Sequence, residues 1–209
     1  MIPVEEQQEP KDFDKKVRRK GYKWLEQQGI SLTSIPSDPS KLPPLWRECN
    51  KQLWDAYGGV CAYLAFRFEY VSGASTTDHF IAKSRHAGQA YEWNNYRLAC
   101  MSVNRQKGKF DDVIDPFTLP VHTFFLVLES GEIYVNPDLQ TQDKKTSALA
   151  DKTIHRLKLD HPHNREMRAN CYTFYIAMKE SLSITDTFLS WFEKQNPFVY
   201  GEIKRQNKL

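Results

Sequence analysis

Apolar residues recur at helical intervals toward both ends of the chain and at shorter, strand-like intervals in its middle. Over 10–28, Phe13, Val17, Tyr22 and Leu25 fall loosely on one side and Gly29 is a stop, which predicts a helix. The polar stretch SLTSIPSDPSKLPP (31–44) reads as a linker, and its last two prolines suit the first turn of a helix. Leu45, Cys49, Leu53, Trp54 and Tyr57 then follow at helical spacing until Gly58-Gly59, a second helix expected to bury its aromatic stripe.

The middle of the chain changes period. VCAYLAFRFEYV (60–71) is rich in aromatic and β-branched residues, and after Ser72-Gly73 a short extended piece runs to Asp78-His79, so the two predict a hairpin. Asn95 to Leu98 reads as another short strand, and Met101 to Lys107 as one or two helical turns. HTFFLVLESGEIYVNP (122–137) predicts two strands around a Ser-Gly turn. From Asp143 to Lys194 the pattern is helical again, with Leu149, Ile154 and Leu157 followed by aromatic-rich stretches after Pro162.

Composition narrows what such a chain can be. With 209 residues it can bury one sizeable core, with room for an appended subdomain. Its 13% aromatic content and ordinary charge argue for a folded protein. The start, MIPVEEQQEPKDFDKK, has no apolar run behind a basic segment, and the longest greasy run, Phe124 to Leu128, is too short to cross a bilayer, so a cytoplasmic protein is expected. Cys49, Cys61, Cys100 and Cys171 contain no C-x-x-C pair and read as free thiols. No Gly-x-Ser-x-Gly, P-loop or dinucleotide fingerprint is present, which leaves serine hydrolases, NTPases and dehydrogenases without support.

A net charge of +3 is too small to imply nucleic-acid binding by itself. Basic residues gather at 15–23, 83–86, 104–109 and 204–208. The first and last read as solvated faces, while the middle two flank the order Asp78-His79, Asn95, Asn104, Lys107-Gly108. An isolated Asp-His is more often a turn or helix cap, and an isolated asparagine a turn residue. Four such positions in a strand, loop, strand, helix order are harder to assign to accident.

D-H-x15-N-x8-N-x2-K-G in that order resembles the HNH nucleases, over about residues 57 to 112. W-N-N-Y-R-L (93–98), V-I-D-P-F (113–117) and T-I-H-R-L-K-L (153–159) are similar to the HNH nuclease subunits of Septu-type anti-phage defence, including retron-linked versions. The resemblance implies an α+β fold in which a ββα-metal core with short antiparallel hairpins is embedded in flanking helices. Its parts would be a helical and linker region over 1–56, the nuclease core over 57–117, and a hairpin plus helical region over 118–209. It also implies DNA as substrate, with RNA not excluded, and an ABC/SMC-like ATPase partner, for which the aromatic region Tyr172 to Tyr200 is the candidate docking surface.

Phosphodiester hydrolysis needs a deprotonated water, a cation on the phosphate and a stabilised leaving oxygen. His79 is the natural base, because an imidazole of ordinary pKa is largely neutral at cellular pH. Asp78 offers a hard anionic oxygen and Asn104 a neutral one, ligands suited to Mg²⁺ or Mn²⁺. Adjacent strand residues point in different directions, so Asp78 and His79 could address opposite sides of a phosphate. The resemblance gives Asn95 the task of orienting the base histidine, through a hydrogen bond to its second ring nitrogen. Lys83, Arg105, Lys107 and Lys109 are then candidates to grip the nucleic-acid backbone.

Many HNH proteins brace this unit with two C-x-x-C pairs around zinc. Here the stretches read Cys61-Ala-Tyr-Leu64 and Cys100-Met-Ser-Val103, and two thiolates do not close a four-ligand site, so no structural zinc is expected unless His86 or His122 completes one. Asp111, Asp112 and Asp115 read as turn formers before Pro116, and His161 and His163 as cap or surface residues. A nucleic-acid-binding or scaffold subunit with a silent ββα unit is the competing expectation.

Overall fold

A computed structural model describes residues 1–181 and 184–209. Among the described residues are eight α-helices and two small antiparallel strand pairs, a mixed α+β content. They form two compact units, one of residues 1–4, 61–67 and 112–209, the other of residues 5–60 and 68–111.

The second unit opens with a π-helical turn, Asp14–Arg18, that runs into α1 (Arg19–Gln27). Phe13, Val17 and Leu25 are fully buried, as the spacing predicted, and Gly29 at φ +65° ends the segment. Gly21 is fixed by contact: a Cβ there would lie 2.3 Å from the Tyr91 ring. Arg18 departs from the expected solvated face, since its Nε donates to both Glu92 oxygens at 3.1 and 3.2 Å and its other nitrogens meet Glu9 and Asp14. After the linker a 3-10 turn, Leu45–Cys49, leads into α2 (Asn50–Ala56). The turn buries Cys49 and the helix Leu53, whereas Trp54 and Tyr57 are only half-buried, so the aromatic stripe is covered in part.

The hairpin expected from 60–71 does not form. Cys61 to Ala65 are all buried, and the Cys61 N–H donates to the Phe66 carbonyl while the Ala65 N–H donates to that of Cys61. The run thus closes on itself as a turn, with Ala65 at φ +51°, and commits these backbone groups locally instead of to a partner strand. The strand ending at His79, β1 (Ser75–His79), pairs with β2 (Tyr96–Cys100) instead, with Asp78 opposite Arg97 and His79 opposite Tyr96. β2 is buried throughout and passes directly into α3 (Met101–Lys107), which packs on both strands and stops at Gly108, φ +50°.

In the first unit β3 (Phe124–Val127) and β4 (Glu132–Val135) form the predicted hairpin. Gly131 holds φ +68° at its turn, where a Cβ would come within 2.0 Å of the Arg165 carbonyl. A short α4 (Leu139–Gln142) precedes α5 (Lys144–Leu157), which Asp143 caps by accepting from Thr146 N at 3.0 Å. α6 (Pro162–Glu180) starts at His161, whose Nδ1 accepts from His163 N at 3.3 Å, the expected cap. The helical prediction for 143–194 includes residues 182–183, which lie outside the described residues. α7 (Asp186–Gln195) and α8 (Pro197–Arg205) follow, the latter beyond the predicted helical region and opened by Pro197. No described helix is long and apolar enough to cross a membrane.

Candidate active site

Alternation along β1 sorts its side chains into two sets. Thr76 and Asp78 meet α3: Asn104 Nδ2 donates to Thr76 Oγ1 at 3.0 Å, and Lys107 Nζ lies 3.1 Å from Asp78 Oδ1. Asn104 and Lys107 are three residues apart, which puts them on one helix face. Thr77 and His79 instead meet the segment before and into α2. Asn50 Nδ2 donates to Thr77 Oγ1 at 3.1 Å, and the Trp46 ring stands edge-on to the His79 imidazole at 4.7 Å. The two sets converge at the end of the strand, where Asp78, His79 and Asn104 line one pocket of about 340 Å³ with Trp46, Lys83 and Lys109.

His79 is half-buried and held by three groups. Its Nε2 lies 3.1 Å from the Ala90 carbonyl, and Tyr96, its cross-strand partner, stands edge-on at 5.2 Å, as Trp46 does at 4.7 Å. A carbonyl oxygen only accepts, so Nε2 carries the proton and Nδ1 keeps its lone pair. Nδ1 bonds no protein group among the described residues. Burial pushes the imidazole down to about 3; the Ala90 bond opposes this and Lys83 and Lys107 add to it. The ring is therefore neutral throughout the physiological range.

Asn95 is buried, but its side chain does not reach the imidazole. Its Oδ1 accepts from Ile81 N at 2.7 Å, and its Nδ2 donates to the carbonyls of Ile81 at 3.0 Å and Gln89 at 2.8 Å. The expected bond to the second ring nitrogen is thus replaced by an indirect one. Asn95 ties down the loop beside Ala90, and the Ala90 carbonyl holds the ring, bonded also by the Tyr96 hydroxyl at 2.7 Å.

Lys107 also corrects the sequence reading. It is 0% exposed, and its ammonium serves three acceptors: Asp78 Oδ1, His79 O at 2.9 Å and Phe80 O at 3.1 Å. A lysine so enclosed cannot grip a backbone; it neutralises Asp78 and fixes the end of β1. Lys109 is exposed at the pocket, and Arg105 is exposed on α3 but is not among the pocket's lining residues. Lys83 is half-buried with its Nζ 4.5 Å from the centre of the Trp46 ring. Burial, with Arg47 nearby, holds it below the ordinary lysine range.

Comparison of the chain with protein-family models and with curated proteins gives no match. The site is therefore read from its own geometry.

The donor set fits a hard divalent cation. Lys107 holds Asp78 in place as a carboxylate, and because Nδ2 of Asn104 is committed to Thr76, Oδ1 is the amide atom left for a ligand. Among the described residues no group of three or more His, Cys, Asp or Glu side chains gathers as an all-protein cage. Mg²⁺ is suited to such a sparse set, since it keeps waters and binds through one or two protein oxygens. The acidic residues after the motif are engaged elsewhere: Asp111 with Arg85 at 2.9 Å, Asp112 with Lys152 and Arg156, and Asp115 in a turn to Phe117 N at 3.0 Å. Cys49, Cys61 and Cys100 are buried and in no disulfide.

Sequence reasoning missed Trp46, Thr76 and the Ala90 carbonyl. Trp46 lies 32 positions before Asp78 in the sequence and carries no motif signal. A backbone carbonyl leaves none either.

Proposed function

We propose that this protein is a metal-dependent endonuclease of the HNH type, cleaving phosphodiester bonds of DNA. The observation that carries the reading is the convergence of Asp78, His79 and Asn104 on one open pocket, with the imidazole proton committed to Ala90. Asp78 and Asn104 are the residues that would hold Mg²⁺ or Mn²⁺. When bound, the cation supplies charge stabilisation at the phosphate and at the departing oxygen.

The chain's own residues account for the rest. Nδ1 of His79 accepts the proton of the attacking water, and the positive charge that develops is shared through Nε2–H with the Ala90 carbonyl. Lys83 and Lys109 attract the phosphate backbone without reading bases. Asn95 and Lys107 position the strand end and its loop. A weakly basic chain grips DNA poorly alone. The ATPase partner implied by the resemblance belongs to the same reading, and the half-exposed Phe174 and Trp191 on α6 and α7 are where it would dock. Co-purification with Phe174→Ser/Trp191→Ser tests that part.

One observation favours a silent module. Lys107 already supplies Asp78 with a positive charge at 3.1 Å, and a cation would have to share that carboxylate. Incubation of plasmid DNA with Mg²⁺ or Mn²⁺, with and without chelator, separates the readings. Cleavage that needs the cation and vanishes in His79→Ala supports the nuclease. Cleavage that survives the substitution rejects the assigned base, and none under any condition, partner included, leaves the module.

A further inference from the structure

The pocket has one wall that the strand, loop, strand, helix segment does not supply. Trp46 comes from the 3-10 turn Leu45–Cys49, and its ring centre lies 4.7 Å from that of the imidazole at 90°, nearer than Tyr96 at 5.2 Å. Resting on the nuclease reading for its purpose, we propose that Trp46 is a positioning residue that holds the His79 ring in the orientation that keeps Nε2 on the Ala90 carbonyl and leaves Nδ1 unbonded.

The argument is steric and then chemical. Turning the imidazole about its Cβ–Cγ bond takes Nε2 off the Ala90 carbonyl, brings Cε1–H toward it and sweeps the ring through the space beside it; away from that acceptor nothing fixes the proton to Nε2. Trp46 and Tyr96 both stand nearly perpendicular to the imidazole, at 90° and 84°, with ring centres 4.7 and 5.2 Å away, so the two rings bound that space. Such edge-to-face pairs are attractive as well as obstructive. Tyr96 is a β2 residue fixed by register and by its hydroxyl bond to Ala90.

Trp46 has its own restraints. Cys49 Sγ meets its carbonyl at 3.3 Å, and the Lys83 ammonium lies over its ring at 4.5 Å. The same indole thus joins the base to a cation that lines the pocket. Without it the ring keeps a single hydrogen bond and one neighbouring ring, and either nitrogen could carry the proton.

The test uses the full chain labelled with ¹⁵N-histidine, with ring shifts read at fixed neutral pH and His79 assigned by its loss in His79→Gln. Wild type should give the Nε2–H form alone. Trp46→Leu should give a mixture of both forms and lower kcat about tenfold at unchanged KM, while Trp46→Phe, which keeps an aromatic edge, restores the wild-type signature. Should Trp46→Leu not fold, Trp46→Met carries the same comparison. A folded non-aromatic variant with His79 still wholly Nε2–H overturns the proposal, as does failure of both variants to fold, which makes Trp46 structural only. An inactive wild type with shifts as expected would reject the nuclease reading and keep the clamp; an active enzyme with unmoved shifts would do the reverse.

Discussion

Each unit of this protein buries a carboxylate beside a two-stranded sheet, and the two are used differently. Glu202 on α8 is 4% exposed, and its oxygens are taken by Arg205 at 2.8 and 2.7 Å and by Leu126 N on β3 at 2.8 Å. It closes the edge of the β3–β4 sheet, with Gln206 donating to the Leu126 carbonyl at 2.9 Å. Asp78 on β1 is 3% exposed and pairs with Lys107, and it lines a pocket together with His79, Asn104, Lys83 and Lys109. Burial of a charge therefore does not mark a site. What distinguishes Asp78 is its company: its pocket holds His79, Asn104 and two lysines, whereas the pocket that Glu202 lines is walled mostly by apolar residues.

Breaking the pocket should cost activity long before stability. His79→Ala is expected to lower metal-dependent cleavage by about 10²–10⁴-fold, measured on plasmid DNA. Glu202→Gln should leave cleavage intact, and a variant of Glu202 that abolished it would erase the contrast.

Stability gives the next largest effect. Lys107→Met removes a fully buried cation from beside the buried Asp78 carboxylate, which should cost about 3–5 kcal/mol in urea unfolding. Arg205→Met should cost less, about 1.5–3 kcal/mol, because Arg205 is 29% exposed and Glu202 keeps its bond from Leu126. Equal losses would mean that the two pairs are equivalent.

Acid sharpens the same comparison. Burial holds the native His79 down to about 3, against an ordinary value of 6.5. Below pH 6.5 the unfolded chain takes up a proton that the native imidazole refuses. Stability therefore falls as pH drops toward 3, with a slope of at most about 1.4 kcal/mol per pH unit from this group. His79→Gln should remove that part of the slope, read from urea midpoints across the range. The smallest effect concerns Cys49, whose thiol burial pushes up to about 12. It should resist iodoacetamide in the native protein at pH 8 and react once unfolded.

Much of this was legible in the sequence for identifiable reasons. The β3–β4 hairpin was announced by Ser130-Gly131, and α5 and α6 by Asp143 and by His161-Pro162, because turns and caps are local chemistry. The nearness of Asp78, His79 and Asn104 could be read because short spacings confine them to one strand and the helix that packs on it. The partner of β1 was misread because strand composition does not choose a partner: 60–71 has it, yet Cys61 to Phe66 bond among themselves in a turn while the equally buried Tyr96–Cys100 pairs with β1. Lys107 was misread because a basic residue at a helix end looks the same in sequence whether it faces solvent or a buried carboxylate. Asn95 and Trp46 act through the loop at Ala90 and through ring contacts made across the fold, which no spacing encodes.

The claim on which the nuclease reading rests is that Asp78 and Asn104 hold a divalent ion beside the His79 lone pair. Titration of the protein with Mn²⁺, reading the free ion by electron paramagnetic resonance, tests it most directly, with Asn104→Ala as the least disruptive variant since Asn104 is half-buried and outside the ion pair. One bound ion in wild type, weakened at least tenfold in Asn104→Ala and displaced by Mg²⁺, is the predicted result. No bound ion in wild type, or binding unchanged in the variant, would contradict it.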